Sequence, residues 1–490
     1  MNEFTVPPTL TGEEPQVTLA LVSHTNVGKT TLARTLLRRD VGEVLDQAHV
    51  TEVSTAYSLL RVPEGELVLW DTPGFGDSAR LLARLRRKDQ PLRWFFQQMW
   101  DRVTDKPLWC SQQAALTIRD RADVVLYLVN ATESPEEAGY VGPELELLDW
   151  LGVPVILLLN QVGEAGQSPE RREQRLEPWR RLGEHWGVVR GAEELDAFTR
   201  CWVEESLLLA RVGEVLEEDA RSLMEALTKG WTARNLEAFE RASEAIAGHL
   251  ATVAVDREAL PKRRSLDFKG SKADRERGME RLGSRLQGTA EELMTTLLEI
   301  HGLDGDQIQA LERELEAFQV RGEILEPERG AILGSVVSGA VGGLAADVLA
   351  GGLTFGGGVL AGAILGALGG ASLSRGYQLL SGERPAVVWS TAFVEALCQQ
   401  TLLRYLAVAH FGRGGGIYRQ RREPELWQNA LGEALRAHED RLREVLEAAT
   451  RSGSSRESKE KLRPLIRKVL ASTLTVLYPE GEKILKDQDR

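Results

Sequence analysis

Short apolar runs alternate with helical spacing over the first third of the chain. The helical spacing begins at Thr31–Leu37, directly behind the first apolar run. Apolar runs of about four to eight residues are typical of buried strands, and strands that alternate with helices favour a parallel sheet. We therefore predict an α/β domain with a mostly parallel sheet and helices on both faces, its strands at Val17–Val22, Tyr57–Val62, Leu67–Trp70, Val124–Val129 and Val153–Leu159.

The second half of the chain has helical spacing instead. Apolar positions recur every three or four residues in Leu236–Ala242 and Gly278–Leu286, which is the pattern of amphipathic helices. Longer helices are predicted at Ala386–Phe411, Leu426–Ala449 and Leu462–Leu477. This half is predicted to be all-α.

One segment within the second half differs from its surroundings. Gly330–Ser374 carries a single charge, Asp347, and its small residues recur every fourth position in two arms around the glycine turn Gly351–Gly358. Such spacing lets helices approach closely, and each arm would be about 30 Å long, the thickness of a bilayer core. Two interpretations stay open: a membrane-associated hairpin, which we favour, and a tightly packed hairpin within the helical domain.

These changes in pattern predict five regions. They are a tail at 1–16, the α/β domain at 17–215, a helical domain at 216–329, the apolar hairpin at 330–375 and a C-terminal helical region at 376–490.

The first predicted strand runs into a phosphate-binding sequence. Ser23–Thr30 reads Ser-His-Thr-Asn-Val-Gly-Lys-Thr and lies between a strand and a helix, as a P-loop does. In a P-loop, backbone N–H groups surround the phosphates, the lysine contacts the β- and γ-phosphates, and the following hydroxyl binds Mg²⁺. Ser23 stands where the motif usually has its first glycine. The predicted nucleotide-binding residues are Asn26, Val27, Gly28, Lys29, Thr30 and Thr31, with Lys29 also catalytic and Thr30 also a metal ligand.

Another predicted strand ends in the complementary half of such a site. Leu67–Trp70 is followed by Asp71-Thr-Pro-Gly74. Asp71 would hold Mg²⁺, and the N–H of Gly74 would contact the γ-phosphate in a catalytic role. Phe75 follows, and a phenyl ring cannot orient a water molecule by hydrogen bonding.

The remaining site residues come from loops. A threonine before the second strand should close on Mg²⁺ and the γ-phosphate; Thr51 and Thr55 both qualify, and we favour Thr51 as catalytic residue and metal ligand. Asn160 ends the last predicted strand, at the place where the base of the nucleotide would be contacted. Its side chain would contact either the base or the P-loop. The last base-contacting loop is placed at Val188–Ala192.

These motifs resemble the Era-like bacterial GTPases of the translation-factor-related class, over roughly residues 17–163. The resemblance implies a GTP hydrolase that uses GTP and Mg²⁺, with a low intrinsic rate because Phe75 stands where Ras-like enzymes have glutamine. It also implies K⁺ as a further candidate ion, through Asn26. The guanine-reading motif Asn-Lys-x-Asp is Asn160-Gln-Val-Gly163 here, so the carboxylate that selects guanine is missing. The layout of the second half resembles the DUF3482 family.

Composition limits the location and the partners. The formal net charge is −13, which argues against a general nucleic-acid-binding protein without excluding a local basic patch. Cys110, Cys201 and Cys398 are not spaced as zinc ligands, and Met1–Phe4 does not begin a secretory signal. We expect a cytoplasmic protein, associated with the cytoplasmic face of the inner membrane through the hairpin.

An insert follows the Asp-Thr-Pro-Gly motif. Residues 78–121 combine several arginines with tryptophan and phenylalanine. We favour amphipathic helices packed on the sheet; an RNA-binding surface and a surface for a homodimer or protein effector are the alternatives.

Three functions are compatible with these features. The favoured one is a membrane-linked GTPase switch. The others are a nucleotide-binding scaffold that does not hydrolyse, and a ribosome- or RNA-associated Era-like factor.

Overall fold

A computed structural model describes residues 15–24, 27–38, 54–76, 78–87, 93, 105–162, 169–197, 201–261, 272–303, 377–380, 385–411 and 423–486. These residues divide into two compact units, one up to Asn235 and the other from Leu236 onward. The predictions made for Asn26, Thr51, Gly163 and the hairpin Gly330–Ser374 fall outside the described residues.

The first unit is the predicted α/β domain. Its strands are β1 (Gln16–Ser23), β2 (Thr55–Val62), β3 (Gly65–Asp71), β4 (Val124–Asn130), β5 (Val155–Asn160) and β6 (Val189–Glu194). Its helices are α1 (Lys29–Leu37), α2 (Ser78–Leu85), α3 (Lys106–Arg121), α4 (Val141–Leu151), α5 (Pro169–Gly183) and α6 (Trp202–Val215). The long helix α7 (Glu218–Val255) begins in this unit.

The six strands form one sheet in the order β2-β3-β1-β4-β5-β6. β2 is antiparallel to β3, and the other pairs are parallel. Apolar side chains are buried on both faces of the sheet, against α2–α5 on one face and against α1, α6 and the first part of α7 on the other. Because parallel strands end at the same edge, the residues after β1, β3 and β5 are brought together there.

β6 corrects one prediction. Val188–Ala192 was placed in the last base-contacting loop, but β6 pairs with β5 so that Val189 lies opposite Val155 and Glu194 opposite Leu159. Residues 188–192 therefore lie at the amino end of β6, and the loop at the site edge follows Glu194. β6 was missed because it is an edge strand with a mixed, largely polar sequence, unlike the apolar strands in the middle of the sheet.

The second unit is mainly helical, as predicted. Beside the rest of α7 it contains α8 (Lys272–His301), α9 (Thr391–Ala409), α10 (Glu423–Arg436), α11 (Glu439–Ser452), α12 (Ser455–Leu477) and α13 (Glu482–Lys486). It also has a small antiparallel sheet, which was not predicted, of β7 (Arg257–Ala259), β8 (Tyr377–Leu380) and β9 (Ala386–Trp389) in the order β7-β9-β8.

Two helix predictions in this unit were wrong in their bounds. The helix predicted over Ala386–Phe411 begins only after β9, because the Ser390 hydroxyl caps α9 by accepting from the Phe393 N–H at 3.2 Å. The helix predicted over Leu426–Ala449 is two helices, α10 and α11.

Candidate nucleotide-binding site

Gly28 starts helix α1 in a conformation that only glycine adopts easily. Its φ is 96°, in the left-handed region. A Cβ built on it would lie 2.7 Å from the Asn160 Nδ2 atom. Two features therefore favour glycine at position 28: the left-handed backbone conformation and the close approach of the Asn160 side chain.

Lys29 is held by the residue that departs from the motif. Its ammonium donates a hydrogen bond to the Ser23 Oγ atom at 2.9 Å. Burial lowers the pKa of Lys29, and the carboxylates of Asp71 and Glu144 partly oppose this shift. A glycine at position 23 could not accept this bond, so the serine has a definite contact in the site.

Thr30 and Asp71 meet at the edge of the sheet. The Thr30 hydroxyl donates to the Asp71 Oδ2 atom at 2.8 Å, although the two residues are 41 positions apart. Asp71 ends β3 and is 2% exposed. A hydroxyl and a carboxylate side by side are the oxygen donors that Mg²⁺ prefers, so this pair fits the metal that the P-loop implies.

Asn160 joins the P-loop to the loop after β6. Its Nδ2 atom donates to the Val27 carbonyl at 2.7 Å, and its Oδ1 atom accepts from the Ala197 N–H at 2.8 Å. The Thr35 hydroxyl donates to the Ala197 carbonyl at 2.8 Å. Of the two roles predicted for Asn160, the contact with the P-loop is therefore present, and its second partner, Ala197, lies in the loop that follows β6.

The residues after Asp71 pack into the domain. Phe75 is 1% exposed, and its N–H donates to the Ser23 carbonyl at 3.0 Å. The Gly76 N–H donates to the Ser111 hydroxyl at 3.0 Å, and a Cβ at Gly76 would lie 2.5 Å from the Cβ atom of Pro107. Gly74, which directly precedes Phe75, is also buried. Phe75 thus fills the core.

Of the two candidate threonines, Thr55 lies within the described residues. It begins β2 and pairs with Asp71 across the ladder. Thr31, predicted to bind nucleotide, is buried in the first turn of α1 at 5% exposure.

The described helices of the insert 78–121 have buried apolar faces, in agreement with the favoured interpretation as amphipathic helices packed on the sheet. Leu81, Leu85, Leu108 and Ile118 are buried against the sheet. On the outer side, Arg80 forms an ion pair with Asp105 at 2.8 Å.

The buried carboxyl group of Glu144, near the P-loop, was not predicted from the sequence. Glu144 on α4 is completely buried and accepts hydrogen bonds from three residues, one of which is His24 of the P-loop. No local pattern marks it, because two of these donors lie 66 and 120 positions away.

Comparison with known families agrees with this geometry. Residues 18–161 match the family described as 50S ribosome-binding GTPase, and residues 190–474, more than half of the chain, match the family described as domain of unknown function, DUF3482. The chain belongs to the DUF3482 family. Its first unit contains the region that matches the GTPase family, and the DUF3482 match begins inside that unit, at β6.

Two solved structures of Era and one of a probable GTP-binding protein are similar to parts of the chain. Era in complex with MgGDPNP and nucleotides 1506–1542 of 16S ribosomal RNA is 18% identical, with a TM-score of 0.31, over 42% of this chain and 58% of that one. Era from Aquifex aeolicus bound to GDP and aluminium fluoride is 16% identical, with a TM-score of 0.28, over 57% and 90%. A probable GTP-binding protein EngB is 15% identical, with a TM-score of 0.24, over 37% and 88%. No curated protein sequence matches the chain.

Proposed function

We propose that this protein is a Mg²⁺-dependent GTPase switch, with the nucleotide at the edge of the six-stranded sheet. The observation that carries the proposal is the contact between the Thr30 hydroxyl and the Asp71 carboxylate, 2.8 Å apart. It supports the proposal because it brings together the two oxygen donors expected at the metal, next to the buried ammonium of Lys29.

In this proposal Thr30 and Asp71 hold Mg²⁺, together with Thr51. The metal ion would neutralise charge on the phosphates. Lys29 would exchange its bond to Ser23 for the β- and γ-phosphates, and the backbone of Val27 and Gly28 would surround them.

We expect hydrolysis to be slow without a partner. Phe75 is buried in the core, so it cannot hold the attacking water. The intrinsic rate should be on the order of 10⁻³ s⁻¹ or lower, as in GTPases that await help from another molecule. The proposed use of K⁺ rests on Asn26, and a higher rate in potassium chloride than in sodium chloride would support it.

Selectivity for guanine is proposed to be incomplete. Gly163 supplies no carboxylate for the base, and the amide of Asn160 is engaged with Val27 and Ala197. Among the described residues, the loops around Asn160 and Ala197 are the places from which we expect the base to be contacted.

Membrane association is a separate part of the proposal. It rests on the near absence of charge in Gly330–Ser374; among the described residues, no helix has the length and apolar character of a membrane span. Flotation of the full chain with anionic liposomes, which a variant without 330–374 should fail to show, tests it. Equal flotation of both proteins would contradict it.

Turnover assays test the enzymatic claim. Purified full-length protein with Mg²⁺ should release phosphate from GTP, and from ATP less readily. Tight binding without phosphate release would instead favour a nucleotide-binding scaffold. The family match over residues 18–161 keeps ribosome association as a second candidate, which co-sedimentation with 50S subunits would support.

A further inference from the structure

Glu144 joins three separate parts of the GTPase domain. Its Oε1 atom accepts from the His24 Nδ1 atom at 2.7 Å and from the Ser78 hydroxyl at 2.6 Å. Its Oε2 atom accepts from the Tyr127 hydroxyl at 2.7 Å. The donors belong to the P-loop, to the first turn of α2 and to strand β4.

A buried carboxylate lowers the stability of the fold unless hydrogen bonds satisfy its oxygen atoms. The Glu144 side chain is 0% exposed, and a buried carboxylate without partners is destabilised by several kcal/mol. Here three donors satisfy it. Burial and the neighbouring carboxylate raise the pKa of Tyr127 far above its usual value, so its hydroxyl keeps the proton that it donates.

The P-loop end of this network is fixed from two sides. The His24 ring donates to Glu144 and stacks on the Tyr140 ring, with the ring centres 4.4 Å apart. The Tyr140 hydroxyl donates in turn to Glu133 at 3.0 Å. The second residue of the P-loop is thus held by α4 and by the turn before it.

The other end of the network lies in the segment that should sense the γ-phosphate. Ser78 is the first residue of α2 and comes four positions after Gly74. Between them, the Phe75 N–H donates to the Ser23 carbonyl, and the Gly76 N–H donates to the Ser111 hydroxyl. A displacement at Gly74 would reach Ser78 through a short stretch of chain in which Phe75 and Gly76 are each held by a hydrogen bond.

We propose that Glu144 is a positioning residue that couples the P-loop to this segment through His24 and Ser78. As a positioning residue it would act through these side chains rather than directly on the nucleotide or the metal. The inference rests on the proposed GTPase function and deepens it: the bond from Ser78 to Glu144 sets where α2 lies when the γ-phosphate is cleaved. The bond from Tyr127 only anchors the carboxyl to the sheet.

This division gives a matched pair of variants. Ser78→Ala and Tyr127→Phe each remove one hydroxyl donor from the same carboxyl. If Glu144 acts by coupling, Ser78→Ala should lower kcat for GTP about tenfold, while Tyr127→Phe should change it by less than about twofold. Affinity for GDP should stay within about twofold of the parent in both variants, because the groups around the nucleotide are unchanged.

The experiment is single-turnover GTP hydrolysis by the full chain, with GDP affinity measured by displacement of a fluorescent nucleotide and with the thermal midpoint of each variant. Ser78→Thr, which keeps a hydroxyl, should retain most of the parental rate. Parental kcat in Ser78→Ala, or an equal loss in Tyr127→Phe, would overturn the coupling while the GTPase proposal stands. If the unsubstituted protein itself hydrolyses no GTP, both proposals fail.

Discussion

In the first unit, buried polar side chains bond to one another at one edge of a sheet, whereas in the second unit buried ionisable side chains lie within helical packing. Lys29 and Asp71 illustrate the first arrangement through their bonds with Ser23 and Thr30, and Asn160 bonds to backbone groups at the same edge. His249 and Arg404 illustrate the second: they are 6% and 5% exposed, and burial lowers the pKa of His249 to about 4 and that of Arg404 to about 10. Arg404 donates to the backbone and side-chain oxygens of Gln400, one turn earlier in its own helix.

The difference indicates where chemistry is expected. Burying a polar group costs free energy, and a protein that pairs several of them at one place gains a preorganised site. The edge of the six-stranded sheet is such a place. In the second unit burial lowers the pKa of His249 and Arg404, as it does for Lys29, but the hydrogen bonds of Arg404 stay within its own helix.

The largest effect should follow loss of the P-loop lysine. Lys29→Ala should weaken GTP binding at least about tenfold, because a charge-assisted hydrogen bond is worth about 1.5–3 kcal/mol. Fluorescent-nucleotide titration measures this, with Lys229→Ala, an exposed lysine on α7, as the control. Parental affinity in Lys29→Ala would remove the P-loop assignment.

Asn160→Ala should weaken nucleotide binding by about tenfold. It removes the two bonds that join Val27 to Ala197 and leaves a buried carbonyl and a buried N–H without their partner, at a cost of about 1–3 kcal/mol. Asn160→Asp keeps the acceptor for Ala197 but places an oxygen against the Val27 carbonyl, so it should not restore binding. Full affinity in Asn160→Asp would show that the bond to Val27 contributes little.

In the second unit, the buried His249 should make the free energy of unfolding depend on pH. Because the pKa of His249 is about 4 in the folded chain and about 6.5 in an unfolded one, the stability that its neutral form provides is complete above pH 6.5. It is lost as the pH falls from 6.5 towards 4. Between pH 7.5 and 5.5, His249→Leu should remove about 1 kcal/mol of the pH dependence of unfolding.

His185→Gln is the control for this titration, since His185 is exposed. The change in pH dependence should be larger in His249→Leu than in this variant. The same slope in His249→Leu as in the parent would mean that His249 does not titrate between the folded and unfolded states as its burial requires.

The smallest effect concerns base choice. Gly163→Asp supplies the missing carboxylate and should raise the ratio of GTP to ATP affinity about threefold or more, since hydrogen bonds to charged acceptors are worth at least this much. Competition between the two nucleotides measures the ratio. Strong guanine selectivity already in the parent protein would show that other groups read the base.

Parts of the site were predictable because their signal is local. The P-loop and Asp71-Thr-Pro-Gly74 are contiguous motifs at strand ends, and the four inner strands of the sheet are continuous apolar runs. The alternation of strands and helices was enough to predict the parallel sheet.

The rest depends on contacts between distant residues. Asn160 meets Val27 across 133 positions, and Glu144 meets His24 across 120. No spacing rule anticipates such pairs, because the fold decides which strand ends are neighbours. β6 and β9 were missed for a different reason: a short strand at a sheet edge, or one directly before a capped helix, leaves little pattern.

The edge of the sheet is proposed to bind GTP with Mg²⁺ between Thr30 and Asp71. Isothermal titration of a non-hydrolysable GTP analogue into the full chain, with Mg²⁺ and again with EDTA, tests it most directly. We predict one bound nucleotide per chain with Mg²⁺, and an affinity at least about tenfold weaker in EDTA, because the phosphates would then lose the divalent ion that both side chains are proposed to hold. Absence of binding, or binding of equal strength in both conditions, would contradict the claim.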